Sequence, residues 1–444
     1  MRLWLAIVIC KLGKLAGRLL GGRGSSLPGK LALKICPDVL SRVKLPPQVI
    51  AISGSNGKTS TVEMVAAVLR AAGKTVAYNR EGSNQIEGIT TLILGNATFG
   101  GTVKADVLLM EADERYAART FRYFSPTLFA VTNLYRDQLT RNGHPEWVFD
   151  ALRPAVSGNT HLLLNADDPL SSCYAVGHDK VSWFGLEAAV AAFDAPTGIY
   201  NDGAVCPLCR APMTYDFVHY NHIGGYRCTN CDHRRPTPDF AVTKMDLESG
   251  ELVINDEVSI HLAFTSIYNV CNVLATYAVG RLCGVDSDII RQTVDNFVLK
   301  NGRLVQFTLG AHKGTLLTSK HENSVAYDTN LRYIRQTTDP CTVMIIVDAV
   351  SRKYFTAETS WLWDIDFDLL NADHIQKVML CGRYANDLAQ RMTYTQLPPE
   401  KWCVCPSIAD ACEQLKAAGD EHLYVATCFS DKGKLLALVE KEDV

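Results

Sequence analysis

The chain has 444 residues, of which 47% are hydrophobic and 20% charged, and its formal net charge is −3. These values indicate a globular protein of about three domains. The small net charge gives no support for a nucleic-acid partner, so we expect none. The 15 cysteines are odd in number and several lie inside apolar runs, which favours a reduced cytoplasmic protein over a disulfide framework.

Residues 1–47 are predicted to form a helical lead-in. Their opening apolar stretch, residues 1–10, is too short to span a bilayer, and Lys11, Lys14 and Arg18 interrupt the leucines that follow. Cations among leucines are typical of a basic amphipathic helix. Two interpretations are open: the helix packs on the body of the protein, or it docks this cytoplasmic protein peripherally on the inner face of the membrane.

A glycine-containing loop, S-G-S-N-G-K-T-S, joins a predicted strand at 48–52 to a predicted helix that ends near Gly73. Such a turn directs backbone N–H groups and the helix dipole at one point, which suits a phosphate. We predict nucleotide binding, with Lys58 reaching the outer phosphates and Thr59 holding Mg²⁺. The alternative is a structural turn with an incidental lysine. The predicted contact residues are Gly54, Asn56, Gly57, Lys58, Thr59 and Ser60.

Alternating strands and helices follow the loop. The predicted strands at 75–78, 106–110, 127–132 and 161–165 indicate a mostly parallel sheet covered on both faces. Ligands bind at the carboxyl ends of such strands, so Glu111 is predicted to hold Mg²⁺, with an ordinary surface carboxylate as the alternative. The polar residues at 132–137 and 165–169 are equally suited to helix capping and to ligand contact.

Two C-x-x-C motifs interrupt this pattern in a segment of about residues 198–238. Four thiolates at this spacing predict an inserted zinc ribbon, in which the filled tetrahedral sphere makes the metal structural. The predicted ligands are Cys206, Cys209, Cys228 and Cys231. The neighbouring histidines are then surplus and are expected on the surface: His219, His222 and His233.

A helix is predicted after the ribbon, from Ser266 to Gly284, and Asn269 and Asn272 share one of its faces. A second helix then leads to a hinge at residues 301–303. Arg303, in this hinge, is equally suited to solvent and to a ligand.

The remainder of the chain, residues 301–444, is predicted to be a second, smaller α/β domain. Its strands are expected at 342–347, 376–381, 402–405 and 423–426. Trp361 and Trp363 are expected to be buried structural rings. The first large domain accordingly covers residues 48–300 and contains the ribbon.

Together these motifs resemble the Mur ligases. The loop, Glu111, N-L-Y-R-D-Q-L, N-A-D-D-P and Y-N-V-C-N-V-L-A match the middle domain of those enzymes in order. The four-cysteine ribbon, the C-terminal T-S-W-L-W-D and the early L-P-G-K-L-A-L-K narrow the resemblance to the MurT family of ligase-like subunits. The implied fold is a Mur ligase-type central P-loop domain with the inserted ribbon, plus a smaller C-terminal Rossmann-like α/β domain.

The resemblance also implies a reaction. With ATP and Mg²⁺, and with Zn²⁺ in the ribbon, the D-glutamate α-carboxylate of membrane-held lipid II would become an acyl phosphate. Ammonia from a GatD-like glutaminase partner would then convert it to D-isoglutamine. Lys58 and Glu111 would act in catalysis, and Asn269 and Arg303 fall at positions associated with nucleotide handling.

The C-terminal part departs from the family pattern. Residues 318–324 replace the family's K-N-P-x-G segment, and residues 354–358 replace its D-G-R-D motif, which is thought to lend an aspartate to the glutaminase. Glu358 lies at the matching distance from Trp361, and Asp348 is the other candidate. Two alternative functions are therefore kept: an amino-acid ligase of the folylpolyglutamate or cyanophycin type, and a nucleotide-binding scaffold with weakened catalysis.

Overall fold

The structure is a computed structural model that describes residues 1–19, 26–79, 83–190, 192–246, 249–262, 267–297, 304–350, 357–417, 419 and 421–441. The chain divides into two compact units. The first consists of Met1–Tyr135, Pro145–Pro196 and Asp202–Val298. The second consists of Arg136–His144, Thr197–Asn201 and Leu299–Val444. The predicted domain boundaries after residues 47 and 300 stay predictions.

The described residues form fourteen α-helices and eighteen strands. The helices are α1 (Arg2–Leu19), α2 (Leu27–Ile35), α3 (Val39–Arg42), α4 (Lys58–Ala71), α5 (Ile86–Asn96), α6 (Ala117–Phe121), α7 (Leu139–Asn142), α8 (Pro145–Leu152), α9 (Ile267–Leu282), α10 (Ser287–Asp295), α11 (Ser324–Gln336), α12 (Ala385–Met392), α13 (Ile408–Lys416) and α14 (Lys432–Leu436). The strands are β1 (Gln48–Ser53), β2 (Val76–Tyr78), β3 (Val107–Glu111), β4 (Leu128–Val131), β5 (His161–Asn165), β6 (Val181–Leu186), β7 (Met213–Tyr220), β8 (Ile223–Cys228), β9 (Phe240–Met245), β10 (Glu251–Ile254), β11 (Val258–His261), β12 (Leu304–Leu309), β13 (His312–Ser319), β14 (Cys341–Ile346), β15 (Ile375–Cys381), β16 (Trp402–Cys405), β17 (His422–Cys428) and β18 (Glu440–Lys441).

The first unit is built on a nine-stranded sheet in the order β11-β10-β9-β6-β5-β4-β1-β3-β2. The strands from β2 to β9 in this order run parallel, and β10 and β11 add an antiparallel edge. β1 lies inside the sheet, where Ile50 pairs with Leu109 of β3 and Leu128 of β4. These strands are buried along most of their length, which confirms the predicted parallel sheet covered on both faces.

The second unit contains a seven-stranded sheet in the order β16-β15-β14-β17-β13-β12-β18. Its first five strands are parallel, and β12 pairs antiparallel with both β13 and β18. Successive side chains of β14 pack into opposite cores: Val343 and Ile345 on one face, Met344 and Ile346 on the other. This alternation is the period of two that a strand buried on both faces requires.

The prediction that both tryptophans are buried is wrong for one of them. Trp361 is buried and its ring lies 5.3 Å from that of Tyr327. Trp363 is 41% exposed and packs on Tyr394, with ring centroids 5.0 Å apart. The segment Ser360–Asp364 is a short 3₁₀-helix, and residues two apart on such a helix do not share a face.

Helix α1 packs on the first unit through Ala6, Ile7 and Cys10, which belong to its main apolar core. The packing interpretation of the N-terminal segment is therefore confirmed. Among the described residues, the structure contains no helix with both the length and the apolar character that crossing a bilayer requires.

Candidate active site

The loop between β1 and α4 requires its two glycines. Gly54 and Gly57 have φ values of +134° and +86°, a backbone region that side chains disfavour. A Cβ on Gly54 would lie 2.1 Å from Thr132 Oγ1, and one on Gly57 would lie 2.0 Å from Asn272 Oδ1. The loop is thus packed between the end of β4 and helix α9, and it delivers the chain into the N-terminus of α4.

The side-chain amide of Asn56 fits a loop that receives a polar ligand. It is 2% exposed, and neither Oδ1 nor Nδ2 has a hydrogen-bond partner within the described part of the chain. The backbone of Asn56 is fixed, because its N–H donates to Asn133 Oδ1 (2.9 Å) and its carbonyl accepts from Thr132 Oγ1 (2.8 Å). An unpaired buried amide costs about 1–3 kcal/mol, and a polar ligand group that reaches it removes this cost.

Lys58 is the first residue of α4, and its ammonium is held inside the loop. It pairs with the buried carboxylate of Glu114 and donates to the carbonyls of Gly54 and Ser55, the latter at 3.4 Å. Glu114 was not assigned to the site from the sequence. Its position three residues after Glu111 is the one sequence feature that could have indicated it. Because a buried charge must be paired, Glu114 keeps the lysine at the loop when no phosphate is bound.

Glu111, at the end of β3, contacts the loop directly. Its carboxylate accepts from Thr59 Oγ1 (2.8 Å) and from Asn84 Nδ2 (3.0 Å). A hydroxyl and a carboxylate oxygen side by side are the hard oxygen ligands that Mg²⁺ takes, so these two residues fit the predicted magnesium site. Asn84 carried no sequence signal for this position.

Three further residues were predicted to bind the nucleotide, and the structure describes two of them. Ser60 is half-buried on the first turn of α4, and Asn269 is buried on α9. On the same helix, Asn272 approaches the loop at Gly57, a contact that its spacing from Asn269 did not reveal. Arg303 lies outside the described residues.

The four predicted zinc ligands converge at the ends of the β7–β8 hairpin. Their sulfur atoms all lie within 4.8 Å of one another, with 3.7 Å between Cys206 and Cys231 and 3.4 Å between Cys209 and Cys228. Four sulfurs about 2.3 Å from one zinc are about 3.8 Å apart, so the arrangement fits the ion. Backbone N–H of Ala211 and the Cys228 side chain lower the pKa of the Cys209 thiol to about 6, whereas burial raises the pKa of Cys206 and, together with the neighbouring thiols, the pKa of Cys231.

The expectation that the ribbon histidines lie on the surface is wrong for two of them. His219 and His222 are buried: His219 Nε2 lies 3.1 Å from the carbonyl of Leu186, and His222 Nε2 lies 3.9 Å from Asp168. His233 is half-buried, 3.0 Å from the carbonyl of Pro169. The reason is that the far end of the hairpin packs against the turn after β5 instead of projecting into solvent.

That turn connects the ribbon to the loop between β1 and α4. Arg235 Nε of the ribbon donates to Asp167 (2.7 Å), and the next residue, Asp168, accepts from the N–H of Leu134 (2.7 Å). Beside Leu134, Tyr135 exchanges hydrogen bonds with Ser55 of the loop, at 3.0 and 2.9 Å. Hydrogen bonds therefore run from the ribbon to the loop through the ends of β5 and β4.

Two protein families match the chain. Residues 52–209 match the Mur ligase middle domain, and residues 321–431 match the MurT ligase C-terminal family. The chain is 29% identical over 400 residues to the MurT subunit of lipid II isoglutaminyl synthase (glutamine-hydrolyzing) of Staphylococcus aureus, covering 89% of each chain. It is 29% identical over 419 residues to the subunit of the same name of Streptococcus pneumoniae, covering 92% of this chain and 91% of that one. The chain belongs to the MurT family.

Solved structures agree with this membership at the level of the fold. A pseudomurein peptide ligase type C of Methanothermus fervidus superposes with a TM-score of 0.69 at 18% identity, covering 90% of this chain and 80% of that one. The MurF ligase of Thermotoga maritima, solved in complex with ADP, gives a TM-score of 0.63 at 12% identity, covering 93% and 83%. The MurT chain thus has a Mur ligase-type α/β fold with mixed sheets.

Several strand-end residues of this MurT chain serve its structure. Arg136 lies 3.2 Å from Asp364, and Asp137 accepts from Asn323 Nδ2 at 2.7 Å, so both hold the second unit together. Asp168 bonds the N–H of Leu134 as described above. These three residues contact the protein itself, and ligand contact by the polar residues at 132–137 and 165–169 stays a prediction.

The two carboxylates proposed for glutaminase coupling are both hydrogen-bonded within the second unit. Asp348, after β14, pairs with Lys434 and accepts from the N–H of Arg383 (2.7 Å). Glu358 is exposed, and its carboxylate accepts from the N–H of Ser360 (2.8 Å), which lowers the pKa of Glu358. Glu358 therefore bonds the first residue of the 3₁₀-helix that carries the tryptophans and remains open to solvent.

Proposed function

We propose that this chain is the ATP-dependent subunit of an enzyme that amidates the D-glutamate α-carboxylate of lipid II to D-isoglutamine in peptidoglycan synthesis. The observation that carries the proposal is the loop Gly54–Thr59, which brings the Asn56 amide and the Lys58 ammonium to the N-terminus of α4. The relatives named lipid II isoglutaminyl synthase support the choice of substrate and product.

The loop and α4 would perform the activating step. Lys58 would exchange Glu114 for the outer phosphates of ATP, and the loop N–H groups would bind the inner ones. Thr59 and Glu111 would hold Mg²⁺, which neutralises phosphate charge when bound. A carboxylate oxygen of the substrate attacks the γ-phosphorus and ADP leaves, so the acid becomes an acyl phosphate with a good leaving group.

The second step would consume ammonia. Its nitrogen attacks the acyl carbon, inorganic phosphate leaves with one of the original carboxylate oxygens, and the nitrogen loses a proton. No cysteine of the chain lies in the G-x-C-x-G elbow of a class I glutaminase. We therefore propose that a GatD-like partner hydrolyses glutamine and supplies the ammonia, with Glu358, or else Asp348, reaching the partner's active site.

The ribbon would hold one structural Zn²⁺ through Cys206, Cys209, Cys228 and Cys231. The sulfur spacing supports this assignment. We also propose that the protein works in the cytoplasm at the inner face of the membrane, because lipid II is anchored there.

Nitrogen-source dependence tests the proposed reaction. The purified chain, with ATP, Mg²⁺ and lipid II, should form the amidated product with ammonium, and with glutamine only after the glutaminase is added. Mass spectrometry of lipid II reports the product. Addition of free glutamate to the substrate would instead establish an amino-acid ligase, and ATP binding without any product would establish a scaffold.

A further inference from the structure

Exposed apolar side chains are concentrated on the N-terminal helices. On α1, Trp4 is 52% exposed, Leu12 59%, Leu15 54% and Leu19 80%. The adjoining α2 exposes Leu27 and Leu31, and the loop after α5 exposes Phe99. Isolated exposed leucines are ordinary, whereas a cluster of this kind marks a contact surface.

These side chains form one stripe along α1. At about 100° per residue, the exposed apolar positions fall within an arc of about 120°. They are Met1, Trp4, Leu5, Leu12, Leu15, Ala16 and Leu19. Ala6, Ile7 and Cys10, which pack into the core, fall outside this arc. One face of α1 therefore attaches the helix to the first unit, and a second apolar face is left open to solvent.

The charged residues of α1 and α2 have one sign. Residues 1–37 contain seven lysines and arginines and no aspartate or glutamate, although the whole chain carries a formal charge of −3. Lys30 and Lys34 are exposed on α2. Lys11 borders the stripe on α1, where its Nζ lies 5.7 Å from the ring centroid of Phe99. A protein partner with this complementarity would need a large acidic and apolar face, whereas an anionic bilayer offers both properties over its whole surface.

We propose that the outer face of α1, with Leu27, Leu31 and Phe99, docks on the surface of an anionic lipid bilayer. Apolar side chains enter the boundary between headgroups and acyl chains, and the basic residues contact lipid phosphates. The helix lies in the plane of the interface and does not cross it. The inference is independent of the reaction proposed above, because it concerns a different surface.

Vesicle binding by the full chain tests this surface. The chain should co-sediment with vesicles of phosphatidylcholine and phosphatidylglycerol, bind pure phosphatidylcholine at least about tenfold more weakly, and lose affinity as salt is raised. Leu12→Ser/Leu15→Ser should weaken binding to the anionic vesicles by at least about tenfold, because two exposed leucines no longer enter the bilayer. Val176→Ser/Leu438→Ser, at exposed apolar positions elsewhere, should bind as the wild type does.

Circular dichroism and light scattering complete the test. All four substituted positions are exposed, so the folded spectrum should be retained. Equal vesicle binding by wild type and Leu12→Ser/Leu15→Ser would overturn the proposal. A second result would also overturn it: the wild type is a dimer, Leu12→Ser/Leu15→Ser is a monomer, and neither protein binds vesicles. A second copy of the chain, and not a bilayer, would then cover this face.

Discussion

Polar side chains at strand ends have different partners in the two units. In the first unit, after β1, the Asn56 amide is buried with no hydrogen-bond partner among the described residues, and Lys58 is paired with Glu114, a contact that a phosphate can replace. In the second unit, after β14, Asp348 is held by Lys434 and by the N–H of Arg383. The groups after β1 can still form hydrogen bonds with a ligand, whereas Asp348 forms its hydrogen bonds within the protein.

This difference shows that a place at the carboxyl end of a strand is not enough to identify a site. The rule for open α/β sheets selects both positions equally. The two positions differ in the hydrogen-bond partners that the fold supplies. Substitutions at each position can measure this difference.

The largest effect is expected at Lys58. Lys58→Ala should lower the rate of amidation by at least about 10²–10³-fold, because the cation that neutralises the transferred phosphoryl group is lost. A coupled assay of phosphate release measures it. Lys104→Ala, at an exposed lysine, should retain the wild-type rate.

A second variant separates catalysis from folding at this position. Lys58→Ala removes the ammonium that pairs with the buried carboxylate of Glu114, which should cost about 3–5 kcal/mol of stability. Lys58→Ala/Glu114→Gln should recover much of that stability but none of the activity. Recovery of both would mean that the lysine acts only through the fold.

Removal of the ribbon metal should destabilise the first unit. Metal analysis should find about one zinc per chain, and Cys231→Ser should lose it and lower the Tm by about 10 °C or more. Nucleotide affinity should fall as well, because the ribbon supports the turn that bonds Leu134. Cys403→Ser, at a half-buried cysteine outside the cluster, is the control; zinc retained after Cys231→Ser would contradict the ligand assignment.

Glu358 sharpens the comparison, because its carboxylate accepts a hydrogen bond from Ser360 and is also exposed to solvent. Glu358→Gln keeps an oxygen for the N–H of Ser360 but removes the charge. Amidation with glutamine and the partner should fall by about 10–10²-fold, while amidation with ammonium should be unchanged. Equal loss with both nitrogen sources would show that Glu358 acts outside the partner's site.

The smallest effect is expected at Asp328, a carboxyl that the second unit encloses. Burial first, and then the nearby carboxylates of Asp366 and Asp364, raise its pKa to about 8. Between pH of about 4 and about 8 the unfolded chain releases this proton and the folded chain keeps it, so stability falls as the pH rises.

Asp328→Asn removes this titration and keeps an acceptor for the N–H of Asp366, which lies 2.7 Å from the carboxylate. The Tm advantage of the variant over wild type should therefore be larger at about pH 9 than at about pH 5. Thermal melts at the two pH values measure it. An advantage that does not change with pH would place the ionisation elsewhere.

The elements that depend on local pattern were predictable. Strands β5 and β16 have the bounds expected from their apolar runs, and the loop lies between a strand and a helix as its glycines require. The cysteine spacing also identified the four sulfurs that converge. Each of these features is set by residues close together in sequence, so the sequence contains most of the required information.

The contacts made by packing were not predictable. Glu114 and Asn272 reach the loop, and Asn84 reaches Glu111, from three separate segments of the chain. The burial of His219 and His222 likewise depends on where the ribbon docks. A single sequence specifies such long-range partners only through the complete fold.

Isotope transfer tests the central claim most directly. Lipid II labelled with ¹⁸O in the D-glutamate α-carboxylate is converted with ATP and ammonium, and the released phosphate is analysed by mass spectrometry. One labelled oxygen per amidation event should appear in the phosphate, because that oxygen bridges carbon and phosphorus in the acyl phosphate. Amidated product accompanied by unlabelled phosphate would contradict the account.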